Sequence, residues 1–227
     1  MTPRVVVLAA PSGGGKTTIT REIRTRLPDV FGYSVSATTR KARPGERDGE
    51  AYHFLTREEF LRRRQAGEFL EWAQYAGKLY GTLRDEVDRV LKSGKHVLLD
   101  VEVQGARQVR QAYPSPASLI VFVIPPSPRV LIERLRDRRT ESEAQLRKRI
   151  EIATREVDTA RQELARVYDR VLVNDDLDTA VNEVIELVQR PDVARPAVED
   201  MANTLTSFVQ ELEREAEQLR HSTRRSR

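Results

Sequence analysis

Residues 10–17 read Ala-Pro-Ser-Gly-Gly-Gly-Lys-Thr, three successive glycines followed by an amine and a hydroxyl. Glycines let backbone N–H groups converge on an anion, a lysine adds a point charge, and a neighbouring hydroxyl can ligate a divalent cation. The spacing fits the phosphate-loop pattern G-x-x-x-x-G-K-[ST] at every position but the first, which is Ala10. Alanine serves there as long as the backbone keeps a negative φ. Ala10, Pro11, Ser12, Gly13, Gly14, Gly15, Lys16, Thr17 and Thr18 therefore read as a nucleotide-phosphate site. Lys16 would reach the β- and γ-phosphates and Thr17 would hold Mg2+. Lysine is scarce in this chain, so its presence in the motif carries weight. A second candidate is Asp100, which closes the apolar run His-Val-Leu-Leu-Asp at 96–100. A carboxylate at a strand's end can hold Mg2+ or its waters, and it can equally be a helix cap.

A phosphate loop works only between a buried strand and a helix that turns its positive end to the anion. The apolar residues of 4–9 supply such a strand and 17–27 the helix, closed by Pro28. Further buried strands are expected at 96–100, 118–124 and 170–173, with helices at 57–66, 83–93, 128–138, 142–166 and 177–190. Thr56 and Glu59 stand at capping-box spacing, and Gly94 ends the 83–93 helix. Apolar strands alternating with helices predict a parallel sheet covered on both faces. Short alternating segments at 33–40, 51–54 and 68–75, with a Pro-Gly loop at 41–50, predict a smaller, partly antiparallel lobe.

Composition removes other classes of chemistry. The chain has 227 residues, 39% of them hydrophobic and 33% charged, and no window nears the length of apolar residues a membrane helix needs. The absence of cysteine excludes disulfides, thiol catalysis and thiolate metal sites, and His53, His96 and His221 are too scattered for a histidine metal cluster. A net charge of +4 permits polyanionic partners without requiring nucleic acid. The expected compartment is the cytoplasm, with no membrane and no nucleic-acid partner.

Beyond the loop, "SVSATTRKARPGERDGEAYHF" (34–54), "EFLEWAQYAGKLYGT" (68–82), "LLDVEVQGA" (99–106), "RLRDRRTESE" (134–143) and "VNDD" (173–176) resemble the guanylate kinase family in order and spacing. The likeness covers about 1–190 and is of the bacterial type, in which Ala often replaces the first loop glycine. It implies an α/β P-loop nucleoside monophosphate kinase fold, a parallel sheet flanked by helices. It also implies an inserted mixed α/β GMP-binding lobe at about 34–82 and a helical lid at about 126–166. The implied activity is transfer of the γ-phosphoryl group of ATP to GMP or dGMP, with Mg2+. Residue by residue, Arg40, Arg43, Tyr52 and Tyr80 match holders of the acceptor phosphate. Glu71, with Ser36 and Thr82, matches the readers of guanine, and Glu102 the second acidic reader, more often Asp. Arg134, Arg138 and Arg149 match the lid arginines, Asn174 a position near the ATP adenine, and Thr17 with Asp100 the Mg2+ holders.

Pattern alone leaves other roles open: Glu71 as a solvated strand residue, Tyr52 and Tyr80 as core aromatics, Asn174 as a turn residue. The chemistry favours the family roles. Guanine presents N1–H and an exocyclic NH2 side by side, which one carboxylate can accept, whereas adenine would leave that carboxylate unpaired. Two competing readings are weaker. A ribose bisphosphate kinase would have no base for Glu71 and Ser36 to read, and phosphopeptide-binding relatives have eroded phosphate loops, whereas this one keeps Lys16 and Thr17.

Asp137 and Arg139 stand where the family has glycines beside the lid arginine, which predicts a stiffer lid. Residues 191–227 form a linker and tail. Within it Val198, Met201, Leu205, Phe208, Leu212, Ala216 and Leu219 make a helical apolar stripe over 197–220. That stripe is expected either to dock on the kinase core or to pair two chains as a homo-oligomer.

Overall fold

A computed structural model describes residues 2–75, 77–136, 143–190 and 196–225. Arg138, with Asp137 and Arg139 of the expected lid, lies outside the described residues. The elements run β1 (Val5–Ala9), α1 (Lys16–Arg26), β2 (Phe31–Tyr33), β3 (Ser36–Thr38), β4 (His53–Phe54), α2 (Arg57–Gln65), β5 (Phe69–Tyr75), β6 (Lys78–Leu83) and α3 (Arg84–Lys92). They continue with β7 (His96–Val101), α4 (Val103–Ala112), β8 (Ser118–Ile124), α5 (Pro128–Arg136), α6 (Glu143–Gln162), α7 (Leu164–Val167), β9 (Arg170–Val173), α8 (Leu177–Gln189) and α9 (Val198–Arg225).

The larger sheet has five strands in the order β2-β7-β1-β8-β9, one more than the four buried strands expected. The addition is β2, which pairs parallel with β7 (Phe31 opposite His96). The pairing of β8 with β9 is also parallel, Val121 opposite Arg170. Strands buried along their whole length, such as β1 and β8, need apolar side chains on both faces, which is why they read as unbroken Val/Ile/Leu runs.

By contact the chain divides into two compact units, one of Met1–Val7 and Thr20–Leu119, the other of Leu8–Ile19 and Ile120–Arg227. The first holds a four-stranded mixed sheet in the order β4-β3-β6-β5. There β3 pairs parallel with β4 and antiparallel with β6, and β6 antiparallel with β5. Its small core gathers Ala37, Phe60, Phe69, Leu79 and Leu83, with Phe60 stacked on Phe69 at 4.3 Å. The capping box is half formed. Thr56 Oγ1 accepts the Glu59 N–H at 3.1 Å, while the Glu59 carboxylate turns to Arg62 and Arg63. Helix α3 stops where Gly94 takes φ +81°, a left-handed value suited to glycine.

In the second unit α9 lies against α6, α5 and α7. Its Met201, Leu205, Phe208 and Leu212 are buried, as are Ile150, Ala153, Val157 and Ala160 of α6 and Leu131 and Leu135 of α5. Over 201–212 the apolar stripe of the tail thus docks within the chain, one of the two alternatives expected. Val198, at the start of the stripe, is exposed.

Candidate active site

The phosphate loop leaves β1 and enters α1 through glycines that either conformation or space demands. Gly15 takes φ +96°, and a side chain there would also collide with Asn174 Nδ2. At Gly14 the limit is space: a Cβ would come within 2.7 Å of the Ala10 methyl and 3.1 Å of the Pro11 and Val123 carbonyl oxygens. Ala10 is fully buried in this contact, so the methyl at the motif's first position is accommodated by the missing side chain at the fifth. The turn closes by Gly14 N–H donating to Pro11 O at 2.9 Å, and Gly15 O accepts the N–H groups of Thr18 and Ile19. Lys16 Nζ lies 3.5 Å from Ala10 O, and Thr17 and Thr18 are exposed.

The described lid arginines converge on this loop. Arg149 donates from Nη1 to Leu135 O at 2.9 Å and from Nη2 to Ser12 Oγ at 3.4 Å. Arg134 brings Nη1 within 3.5 Å of where a Gly15 side chain would start, and that nitrogen is buried without a hydrogen-bond partner among the described residues. Asn174 is buried and donates from Nδ2 to Gly14 O at 3.2 Å, so it braces the loop. One neighbour had no signal in the sequence: Glu156 of α6, whose Oε2 accepts the Ser12 N–H at 3.2 Å. A glutamate on a long charged helix reads as solvated.

The second group of residues stands on the four-stranded sheet. Ser36 is opposite Thr82 across β3 and β6, and Thr82 opposite Glu71 across β6 and β5. Directly opposed residues share a face, so Ser36, Thr82 and Glu71 form one row across three strands. Tyr80 follows two residues from Thr82 and returns to that face. Thr82 Oγ1 donates to Glu71 Oε1 at 2.6 Å. Glu71 is only 6% exposed, which answers the alternative of a solvated strand residue. Burial pushes its pKa up to about 7, against the Thr82 hydrogen bonds, with the Glu102 charge adding to the rise.

Helix α4 closes in on Glu71. Glu102 is its N-cap, and a Cβ on Gly105 would come within 2.5 Å of Glu71 Oε2. Strand β5 lies at the sheet edge, and beside Glu71 that edge is satisfied by an amide. Gln108 Oε1 accepts the Trp72 N–H at 3.2 Å and its Nε2 donates to Trp72 O at 2.8 Å. Helix α4 and strand β6 were absent from the sequence reading. Gly81 interrupts the apolar pattern of β6, and two of the four residues α4 buries, Gly105 and Ala106, are too small to mark an apolar face.

Tyr52 and Tyr80 meet edge to face at 6.2 Å between centroids, and the Arg40 guanidinium lies 5.2 Å from the Tyr52 centroid. Both tyrosines are partly exposed, so neither is a plain core aromatic. Arg43 is exposed on the 41–50 loop. Asp100 stands at the end of β7, where its charge adds to the upward pKa shifts that burial produces at Tyr33 and Tyr52. Tyr33, with Arg24 stacked 3.9 Å from its centroid, joins this neighbourhood unannounced by the sequence.

A glycine loop between buried strand and helix, with arginines gathered on it, and a mostly parallel sheet define a P-loop kinase. The guanylate kinase family model matches residues 2–191. The chain belongs to the guanylate kinase family, enzymes that phosphorylate GMP using ATP. It is 47% identical over 188 residues to the guanylate kinase of Synechococcus sp. (strain JA-3-3Ab), a span of 83% of each chain. To the guanylate kinase of Rubrobacter xylanophilus it is 46% identical over 187 residues, 82% of this chain and 94% of that one. Among solved structures, guanylate kinase from Anaplasma phagocytophilum aligns with TM-score 0.64 at 28% identity, covering 85% of this chain and 88% of that one.

Proposed function

We propose that this chain transfers the γ-phosphoryl group of ATP to GMP and dGMP by in-line displacement, recycling GMP into the purine nucleotide pool of the cytoplasm. The observation that carries the acceptor assignment is the row Ser36–Thr82–Glu71 with its buried carboxylate. Glu71 ionised would accept both N1–H and the 2-amino group of guanine, and Ser36 and Thr82 would complete the reading, with Glu102 nearby. An adenine there would leave a buried carboxylate unpaired, a mismatch of several kcal/mol and roughly 10³-fold or more in selectivity.

Arg40, Arg43, Tyr52 and Tyr80 would hold the acceptor phosphate. That phosphate, with its second pKa near about 6, is largely dianionic at neutral pH and needs no general base. The barrier lies in bringing two polyanions together, so positioning and neutralisation carry the catalysis. Lys16, Arg134 and Arg149, with Arg138, would supply the positive charge, the loop backbone 10–18 would bind the donor phosphates, and Asn174 would stand near the adenine. Among the described residues no group of three or more His, Cys, Asp or Glu is arranged to hold a metal. The exposed Thr17 hydroxyl and the Asp100 carboxylate are each of the hard-oxygen type that would hold an Mg2+ arriving on ATP phosphates. Bound there, Mg2+ would neutralise charge on the β- and γ-oxygens.

The test is ATP consumption with GMP, dGMP, AMP, CMP and UMP as acceptors. Turnover with GMP and dGMP alone is the expected result, and turnover with AMP but not GMP overturns the assignment.

A further inference from the structure

Residues 43–46, Arg-Pro-Gly-Glu, form a tight turn whose residues suit it. Pro44 presets φ at the second position, and Gly45 takes φ +85°, which a type II turn requires at the third. The Glu46 N–H donates to Arg43 O at 3.0 Å. In return the Arg43 N–H donates to Glu46 Oε2 at 2.7 Å, so backbone and carboxylate both tie Glu46 to Arg43. The same carboxylate takes the fork of Arg40: Nη1 donates to Oε2 at 2.8 Å and Nη2 to Oε1 at 2.9 Å. The second Nη1 hydrogen goes to Lys41 O at 2.8 Å. What is left of the guanidinium is its other edge, Nε–H and the outer Nη2–H, which meets no acceptor among the described residues. That edge is the parallel donor pair that suits a phosphate.

We propose that Glu46 is a positioning residue for the acceptor's phosphate: it clamps one edge of Arg40, presents the other, and fixes Arg43 in the same turn. The inference rests on the reading of Arg40 and Arg43 as phosphate holders. A carboxylate that merely occupied Arg40 until substrate displaced it would need to swing free. Glu46 is anchored by a reciprocal hydrogen-bonded turn, so it acts as a brace. The Arg40 hydrogen bonds hold its pKa down to about 2, so the brace is charged throughout the working pH range. With the long arginine side chain already ordered, binding a phosphate costs less side-chain entropy.

The test uses the full-length chain and two ligands that differ only in the phosphate, GMP and guanosine, titrated by calorimetry. Glu46→Gln should weaken GMP by about tenfold through loss of the charge-assisted clamp, and leave guanosine unchanged. KM for GMP should rise likewise with kcat nearly constant, since the base row and the phosphate loop are untouched. Glu46→Asp, which keeps the charge and shortens the reach, should lose less, and it answers the question alone should Glu46→Gln fail to fold. Arg40→Ala should weaken GMP as well, and adding Glu46→Gln to it should cost little more. If Arg40→Ala weakens GMP but Glu46→Gln binds GMP as the wild type or more tightly, or weakens GMP and guanosine equally, the brace is overturned. If Arg40→Ala itself leaves GMP binding unchanged, the reading of Arg40 fails, and that outcome is distinct from the others.

Discussion

Glu71 carries a conflict between stability and use. Its carboxyl is buried, and burial raises its pKa from 4.5 to about 7. Between those values the folded chain binds more protons than the unfolded one, so this group makes stability fall as pH rises from about 4.5 to about 7. Glu71→Gln removes that cost and should melt several degrees higher than the wild type at pH 8, with little difference at pH 4. Thermal unfolding at the two pH values checks this. Recognition as proposed runs the other way, because only the ionised form would accept two guanine N–H groups. Guanosine, which has no phosphate titrating nearby, should bind more tightly as pH rises from 6 to 8, and in Glu71→Gln that pH dependence should vanish. At the phosphate loop, Lys16→Ala should lower kcat by two orders of magnitude or more (~10²–10³-fold), because on the proposed reading no other loop side chain would bring a point charge to the donor phosphates. The residue types of both groups were legible in the sequence, since the glycine loop is a contiguous motif and the acceptor residues follow a family pattern. The row Ser36–Thr82–Glu71 was not, because strand register is fixed by pairing between distant segments.

At the scale of elements, α4 sets the floor beneath Glu71. A methyl at position 105 would crowd Glu71 Oε2, so Gly105→Ala should raise KM for GMP several-fold and leave KM for ATP alone, as initial-rate kinetics would show. Helix α9 begins at Val198, beyond the segment matched by the family model, which ends at 191. It nonetheless buries Leu205 completely, and Leu205→Ala should cost about 2–5 kcal/mol, a drop on the order of 10 °C in melting temperature. Sedimentation should give the same mass before and after that substitution, because the stripe packs on α5, α6 and α7 of its own chain. The strand–helix alternation of β1, α1, β7, β8, α5, α6, β9 and α8 was readable from periodicity. The partner of the α9 stripe was not: an apolar face looks the same in sequence whether it meets its own chain or another. Strand β2 was not legible in the sequence either, since three residues carry too short a pattern to name a strand or its neighbour.

Taken whole, the chain has a modest positive charge, +4, and two anionic substrates to gather. No helix among the described residues is long and apolar enough to cross a membrane. Arginines rather than lysines supply most of the positive charge, and two of the arginines proposed for the nucleotide sites are braced: Arg40 by Glu46 and Arg149 by Leu135 O. Such pairing keeps side chains ordered at the expense of net field, so KM for GMP should rise only a few-fold between about 50 and 300 mM salt. The central claim is that a buried carboxylate selects a purine by its two adjacent donors. Calorimetric titration with GMP, inosine monophosphate and AMP tests it most directly, because inosine monophosphate lacks only the 2-amino group of GMP, while AMP lacks both donors and carries a 6-amino group in place of the 6-oxo group. The expected order is GMP tightest, inosine monophosphate weaker by the loss of the 2-amino group, and AMP weaker than both by roughly 10³-fold or more relative to GMP. Equal uptake of AMP and GMP would contradict it.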